Sequence, residues 1–176
     1  MRKDKQKSIM KFVLTCMVCI LVMSCSNDKK PPFQLPENAA EIIAGDSSKT
    51  WKLARRFNNK TRMNMGDCFL SYRSTYLTNG LMHDNNGEQE NCGETLTANW
   101  SLYHSKEKYP YIKLKGEKLK ELMHLDHDYK FFKILDLSDS LMILEFKHKQ
   151  FSSKKTTIVD IYVPEHLPVK DRNFHW

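Results

Sequence analysis

Histidines and acids are the side chains best suited to chemistry here, and one short segment concentrates them. His124, Asp126, His127 and Asp128 lie within five consecutive positions, and two imidazoles with two carboxylates could ligate zinc, copper or nickel. In an extended strand, however, His124 and His127 would point to opposite faces, so only a helix or a turn would bring them together. The sequence therefore favours an exposed polar loop over a metal site.

Acid–base or nucleophilic catalysis has little support in the sequence. His104, Glu107, Asp136 and Asp139 are single titratable residues beside predicted turns, and none belongs to a Gly-x-Ser-x-Gly or HExxH pattern. With only six glycines, the chain has no glycine-rich phosphate loop after a predicted strand. We therefore expect a protein that is not an enzyme and that uses no cofactor.

A basic stretch between positions 106 and 120 interleaves lysines with tyrosines: Lys106, Lys108, Lys113, Lys115, Lys118 and Lys120, with Tyr103, Tyr109 and Tyr111. Such a surface could contact anionic head groups, lipopolysaccharide or an acidic partner. Lysines that protect an exposed strand edge from aggregation would give the same pattern, and this is the favoured interpretation. No nucleic-acid partner is expected, because the amino terminus carries an export signal.

Residues 1–24 have the organisation of a signal peptide. A cationic segment, Arg2–Lys11, precedes the uncharged run Phe12–Met23, which is shorter than the roughly 20 residues of a bilayer-spanning helix. The run ends in Val22-Met23-Ser24-Cys25, which resembles the bacterial lipobox. The resemblance implies cleavage before Cys25 and diacylation of its sulfur, which would anchor the chain to a membrane.

Three points about this signal stay open. An ordinary signal peptide and a single-pass anchor are the alternatives to a lipoprotein, and translation could start at Met10 rather than Met1. Because Ser26 rather than an aspartate follows the cysteine, lipoprotein sorting rules favour the bacterial outer membrane. The periplasmic face and the cell surface are both compatible with the sequence.

The composition is that of a soluble globular protein with one domain. The 176 residues are 40% hydrophobic and 28% charged, which excludes a multi-span membrane protein and a disordered polyelectrolyte. Five basic side chains and one acidic side chain lie in residues 1–24, so their removal would lower the formal charge from +7 to +3. The basic character therefore belongs largely to the signal.

The remaining cysteines and prolines predict the organisation of the mature chain. Cys68 and Cys92 are the two cysteines that remain in the mature chain, and in a protein expected to be exported they predict a disulfide. A zinc or thiol site is the alternative, but the sequence has no CxxC pattern to support it. Residues 25–45 contain three of the six prolines and predict a flexible tether, with a short helix possible over 38–44. We expect a β-domain over 46–165 and a tail over 166–176.

Alternation of apolar and polar residues dominates the sequence after Thr50. It predicts about eight short strands at intervals of about ten residues, a hairpin turn at Asn79-Gly80, and one modest helix over Glu117–Leu125. Two faces are defined by this alternation: Trp51, Leu53, Arg55 and Phe57 in the first strand, and Val159, Ile161 and Val163 opposite Asp160 in the last. The pattern predicts an all-β antiparallel barrel or sandwich.

A set of short motifs over residues 46–150 resembles the lipocalin-like lipoproteins of Bacteroidota. The matching segments, in order, are Thr50-Trp51-Lys52-Leu53, Asp67-Cys68, Tyr76–Gly80, Cys92, Trp100-Ser101-Leu102 and Ile134–Leu144. The resemblance implies an up-and-down β-barrel or half-barrel of about eight strands, which either encloses a small ligand or is filled with side chains.

Candidate ligand-binding residues are the apolar side chains expected to point into this barrel: Trp51, Leu53, Tyr76, Trp100, Leu102, Phe131, Leu144 and Phe146. A packed core is the favoured interpretation of the same set. Two functions remain: a membrane-anchored, non-enzymatic binding module for a small hydrophobic ligand, or an accessory lipoprotein that docks onto an envelope protein complex with its barrel closed.

Overall fold

A computed structural model describes residues 31–149 and 153–175. The predicted signal peptide and Cys25 lie outside the described residues. Residues from Pro32 onward form one compact unit. Within the described ranges, no helix is long and apolar enough to cross a bilayer.

Strands account for most of the described chain. They are β1 (Ser48–Asn58), β2 (Thr61–Arg62), β3 (Arg73–Leu77), β4 (Leu81–Asp84), β5 (Thr97–His104), β6 (Pro110–Lys115), β7 (Tyr129–Ser138), β8 (Leu141–His148) and β9 (Thr156–Pro164). Three short helices accompany them: α1 (Ala39–Ala44), α2 (Asp67–Ser71) and α3 (Glu117–Leu122). A single 3-10 turn, Asn86–Glu88, follows β4.

Eight of the strands form a closed antiparallel barrel. From β3 to β9 each strand pairs with the next along the chain, β1 pairs with β3, and β9 returns to pair with β1. The two-residue strand β2 extends the end of β1 as an additional strand. The predicted up-and-down barrel is therefore confirmed in its closed form. The turn between β3 and β4 is the predicted Asn79-Gly80 hairpin, in which Gly80 adopts a φ of 85°.

A bulge in β1 reverses the face that its second half presents. The pairing of β1 with β9 shifts between Leu53 and Arg55, which places Arg56 opposite Asp160. An extra residue in a strand moves every following side chain to the other face. The prediction that Arg55 and Phe57 share the face of Leu53 is therefore wrong, and Arg56 points into the barrel instead.

One end of the barrel is closed by α1. Ile42, Ile43 and Ala44 are buried in the core, and the indole Nε1 of Trp51 donates a hydrogen bond of 2.8 Å to the carbonyl of Ile43. The helix ends at Gly45, whose φ of 64° is in the left-handed region. The prediction of a flexible tether is thus wrong for α1, because these apolar side chains belong to the barrel core.

The opposite end carries α2, α3 and the long segment 85–96 between β4 and β5. The helix predicted over Glu117–Leu125 is present, although it ends at Leu122. The tail also belongs to the folded unit: the guanidinium of Arg172 donates hydrogen bonds to the carbonyls of Leu53, Phe69 and Leu70. It thereby covers the part of β1 that extends past its pairing with β3.

Candidate ligand-binding site at the open end of the barrel

A cavity of about 290 Å³ lies at the end of the barrel that α1 does not close. A smaller cavity of about 60 Å³ lies deeper among the core side chains. The two cavities share five of their lining residues: Arg56, Tyr72, Leu96, Met123 and Phe146. The larger volume is just below the range of about 300–1,000 Å³ that is typical of small-molecule sites.

The rim of this cavity is held by the predicted disulfide, which is confirmed. Cys68 on α2 is bonded to Cys92 in segment 85–96, with an S–S distance of 2.07 Å, and both residues line the cavity. The carbonyls at the end of α2 are bound by Arg73, whose guanidinium donates to the oxygens of Leu70 and Ser71. Two segments that have no strand pairing of their own are therefore fixed beside the opening.

An ion pair lies on the inner wall where β1 meets β9. The guanidinium of Arg56 donates two hydrogen bonds of 2.6 Å to the two carboxylate oxygens of Asp160, and the Tyr162 hydroxyl donates a third of 3.1 Å. The side chain of Asp160 is 1% exposed and that of Arg56 is 14% exposed. A bidentate pair with an additional donor is the arrangement that a buried carboxylate requires.

The charge states of this pair follow from its surroundings. Burial alone would lower the pKa of Arg56, but the charge and hydrogen bonds of Asp160 outweigh it and raise the pKa above its usual value. Burial raises the pKa of Tyr72 and of Tyr162 well above their usual value, so both phenols are neutral. The guanidinium also lies over the ring of Phe69, 4.6 Å from its centroid.

A second buried cation, Lys130, lies on the same side of the barrel. It is 6% exposed, and its Nζ lies 3.5 Å from His148 Nδ1 and 4.8 Å from the centroid of Phe146. Burial, followed by the charge of Arg56, lowers the pKa of Lys130 to about 8. Burial, followed by the charge of Lys130, lowers the pKa of His148 to about 4, so that the imidazole is neutral at pH 7.

Asp84 supplies an acidic group to the cavity lining from β4, which β3 separates from β1. It ends β4, and its Oδ1 accepts hydrogen bonds from the backbone N–H of Leu96 at 3.0 Å and of Asn86 at 3.2 Å. Burial raises the pKa of Asp84, although these backbone donors oppose the rise. Its role is to order the start of segment 85–96 beside the cavity.

The predicted ligand-binding residues divide into three groups. Tyr76, Leu144 and Phe146 line the cavities. The second group points inward but packs in the core outside both cavity linings: Trp51, Leu53, Trp100 and Leu102. Trp100 is fixed there by a hydrogen bond of 2.9 Å from its Nε1 to the carbonyl of Leu77. The apolar set is thus divided between a packed core at one end of the barrel and the lining of the cavities at the other.

The inward prediction for Phe131 is wrong. In β7 the buried residues are Lys130, Phe132, Ile134 and Leu137, and Phe131, between the first two, lies on the outer face. There it belongs to what we call the outer aromatic cluster: Tyr103, Tyr111, Tyr129 and Phe131. The ring centroids of Tyr103 and Phe131 are 4.9 Å apart.

The lysine stretch runs along the outer aromatic cluster. Lys113 Nζ lies 5.3 Å from the ring centroid of Tyr129 and 5.7 Å from that of Phe131. Because β6 pairs with β5 on one side and with β7 on the other, it is not an edge strand. The edge interpretation of these lysines is therefore wrong for Lys113 and Lys115.

The residues that suggested chemistry lie outside the cavity lining: His104, Glu107, Asp136 and Asp139. His127 stacks on the ring of Tyr129 at a centroid distance of 4.2 Å, and His124 follows α3 with a φ of 49°. Over residues 31–149 and 153–175, no group of three or more His, Cys, Asp or Glu side chains is placed to hold a metal ion.

The chain matches no protein-family model and no curated protein. Its function is therefore argued from the chemistry of the cavity, since a barrel fold alone is compatible with many functions.

Sequence reasoning missed the charged residues of the barrel interior, above all Arg56, Lys130 and Asp160. A signal for Lys130 exists, because it is a charged residue inside the aromatic segment Tyr129–Phe132. Arg56 had no such signal, because its inward direction depends on the bulge before it.

Proposed function

We propose that this chain is a membrane-anchored, non-enzymatic envelope lipoprotein whose barrel binds a small hydrophobic ligand. The observation that carries the proposal is the cavity of about 290 Å³ at the open end, opposite the end that α1 closes. A site with one entrance and a closed, packed base is suited to holding a molecule rather than to conducting it.

The walls of the cavity support an apolar ligand. Phe69, Leu96, Leu122 and Phe146 line it, and Met123 adds a flexible side chain that adapts to different shapes. Polar side chains share the lining with them, among them Arg56, Asp84, Asn86, Glu94 and His148. Apolar walls combined with polar groups that fix the orientation of a molecule are typical of ligand sites.

The amino-terminal sequence supports the anchoring. A lipobox-like Val22-Met23-Ser24-Cys25 and the short segment before α1 would hold the barrel close to a membrane, which we propose is the bacterial outer membrane. Two or three acyl chains on Cys25 would make this attachment stable, because one chain alone binds a membrane only marginally.

Native mass spectrometry of the protein purified from a bacterial envelope tests the binding function. We expect a co-purified apolar molecule on the wild-type chain. Leu122→Trp, which fills the cavity, should lose it, whereas Leu81→Trp on the exposed surface should keep it. A wild-type protein without a bound molecule, or equal retention by both variants, would contradict the proposal.

A second function, docking onto an envelope protein complex, is favoured by the outer aromatic cluster. Tyr103 is 43% exposed, and cationic Lys113 lies over two of the neighbouring rings. Aromatic side chains with a cation beside them are characteristic of protein interfaces.

Site-specific photocrosslinking in cells tests this alternative. A photoreactive residue at Tyr103 should give one discrete adduct with an envelope protein, and the same residue at Lys60, in the exposed turn after β1, should not. Equal patterns at the two positions would argue against docking through the outer aromatic cluster.

A further inference from the structure

The deeper cavity of about 60 Å³ is lined by polar side chains as well as by apolar ones. The polar members of its lining are Arg56, Tyr72, Ser74, Tyr76, Asp160 and Tyr162. We propose that the ligand carries an uncharged hydroxyl group at one end of an apolar body, and that Ser74 binds this hydroxyl in the deeper cavity. This inference rests on the proposed binding function and specifies the chemical class of its ligand.

The first argument is the state of the Ser74 hydroxyl. Ser74 points inward from β3 and is 2% exposed, and among the described residues its Oγ has no hydrogen-bond partner. Burial raises the pKa of Tyr76 and the neighbouring Ser74 hydroxyl opposes the rise, but no hydrogen bond of normal geometry joins the two side chains. A buried hydroxyl without a partner is costly, and native proteins normally satisfy such groups.

The second argument is that the deeper cavity adjoins the larger one. Residues that line both of them include Arg56, Tyr72 and Phe146. A molecule in the larger cavity therefore needs only a short extension to reach Ser74, while its body stays among the apolar side chains of the larger lining. The volume of the deeper cavity is enough for a group of the size of a water molecule or a hydroxyl.

The third argument is that the surroundings disfavour a charged group. Among the described residues that line the deeper cavity, Arg56 and Asp160 are the charged ones, and they neutralise one another through two hydrogen bonds of 2.6 Å. The larger lining adds the carboxylates of Asp84 and Glu94, which would repel an anionic group. A buried charge needs a counter-ion, whereas a hydroxyl needs only a donor or an acceptor, and Ser74 supplies both.

Decanol and decyl fluoride distinguish the hydroxyl from the apolar body. The two probes have the same chain, and fluorine is close to a hydroxyl in size but donates no hydrogen bond. Both would carry an isotope label on the substituted carbon, and binding to the full chain in a non-ionic detergent would be followed by NMR, with empty micelles as the blank. We expect the full chain to bind decanol at least about tenfold more tightly than the fluoride, as for one hydrogen bond to a buried group.

Two variants assign the preference to the buried hydroxyl. Ser74→Ala should remove the preference for decanol, because it deletes only the Oγ atom. Ser101→Ala, on the exposed outer face of β5, is the matched control and should behave as wild type. A thermal unfolding curve of each variant establishes that it is folded, and Ser74→Ala should not unfold at a lower temperature, because the hydroxyl that it removes has no partner.

Decanoate tests the absence of charge. It has the same length as decanol but carries a carboxylate at pH 7, which would be placed near the carboxylates of the two linings. We expect the full chain to bind decanoate at least about tenfold more weakly than decanol in the same NMR experiment.

The outcomes separate the two proposals. Equal binding of decanol and decyl fluoride, a preference that survives in folded Ser74→Ala, or tighter binding of decanoate than of decanol would overturn the hydroxyl ligand and leave a hydrophobic binding protein. Failure of all three probes to bind the wild-type chain would overturn the binding function and this inference with it.

Discussion

At the scale of single residues, the interior of this barrel contains charged side chains that point inward from its strands. Arg56 and Asp160 satisfy one another through two hydrogen bonds of 2.6 Å, whereas Lys130 is buried beside a neutral imidazole. Replacing a satisfied buried pair by apolar residues can be neutral, but an unpaired buried cation lowers stability. Lys130 is therefore a buried residue whose charge should lower the stability of the fold.

Lys130→Met should stabilise the free protein at pH 7. The pKa of Lys130 is about 8 in the folded chain, below the ordinary lysine value of 10.5 that applies when the chain is unfolded, so the unfolded chain binds the proton more tightly. Protonation at neutral pH thus favours unfolding by about 3 kcal/mol, and wild-type stability should rise as the pH increases from 8 to 10.5.

Urea unfolding at several pH values measures this effect. The variant should be more stable than wild type at pH 7, and the difference should shrink above pH 8, while Lys133→Met should leave the stability nearly unchanged. A destabilised Lys130→Met at pH 7 would show that the amine contributes contacts whose loss outweighs its burial.

The alternation of apolar and polar residues could not predict which side chains point into the barrel and which point outward. In β9 the apolar residues Val159 and Ile161 face outward, and Asp160 faces inward with Ile158. In β7 the aromatic Phe131 likewise lies outside, next to inward Lys130. Because apolar side chains cover parts of both surfaces of this sheet, hydrophobicity separates the two faces without indicating which one is buried.

At the scale of elements, the two ends of the barrel are built differently. Helix α1 closes one end with the fully buried Ile43, while the other end is bordered by α2 and segment 85–96, which the Cys68–Cys92 disulfide joins. The disulfide was predictable from the cysteine count. The bulge in β1 was not, because no residue type at Leu53–Arg55 specifies it.

Ile43→Ala tests whether α1 is part of the folded unit. Removal of a fully buried isoleucine side chain should lower the free energy of unfolding by about 2–5 kcal/mol. Glu41→Ala on the exposed side of the same helix should change it by less than about 0.5 kcal/mol. If Ile43→Ala and Glu41→Ala had equally small effects on urea unfolding, α1 would belong to a flexible tether and not to the folded unit.

Cys68→Ser tests the contribution of the disulfide. Closing a loop over a sequence separation of 24 should stabilise the fold by about 3 kcal/mol in the chain-entropy model. The variant should therefore unfold at a lower temperature than wild type in oxidising buffer, and the two should unfold together in a reducing buffer. A difference that persists under reduction would point to lost packing at Cys68 instead.

At the scale of the whole molecule, the all-β architecture was predictable because eight strands repeat at intervals of about ten residues and short turns join most of them. The cavity was not, because its volume depends on how α3 and segment 85–96 pack at the open end. The folded unit also begins earlier than predicted, since the sequence between the prolines and Gly45 is too short to distinguish a helix from a tether.

Cys25→Ala tests the anchoring of the whole protein. We expect the wild-type chain in the membrane fraction with labelled acyl chains, and the variant without acyl label and released by carbonate washing. Ser26→Ala is the matched control and should stay anchored. Retention of Cys25→Ala in washed membranes would indicate an uncleaved amino-terminal helix.

The seam between β1 and β9 has a consequence for biogenesis. It joins the first and last strands of the barrel, and the Arg56–Asp160 pair within it spans 104 positions of sequence. In the export that we propose, the chain would cross the membrane amino terminus first, and β1 would keep one side unpaired until β9 had followed it. Because unpaired strand edges favour association with other chains, the proposed export predicts a requirement for chaperones during secretion.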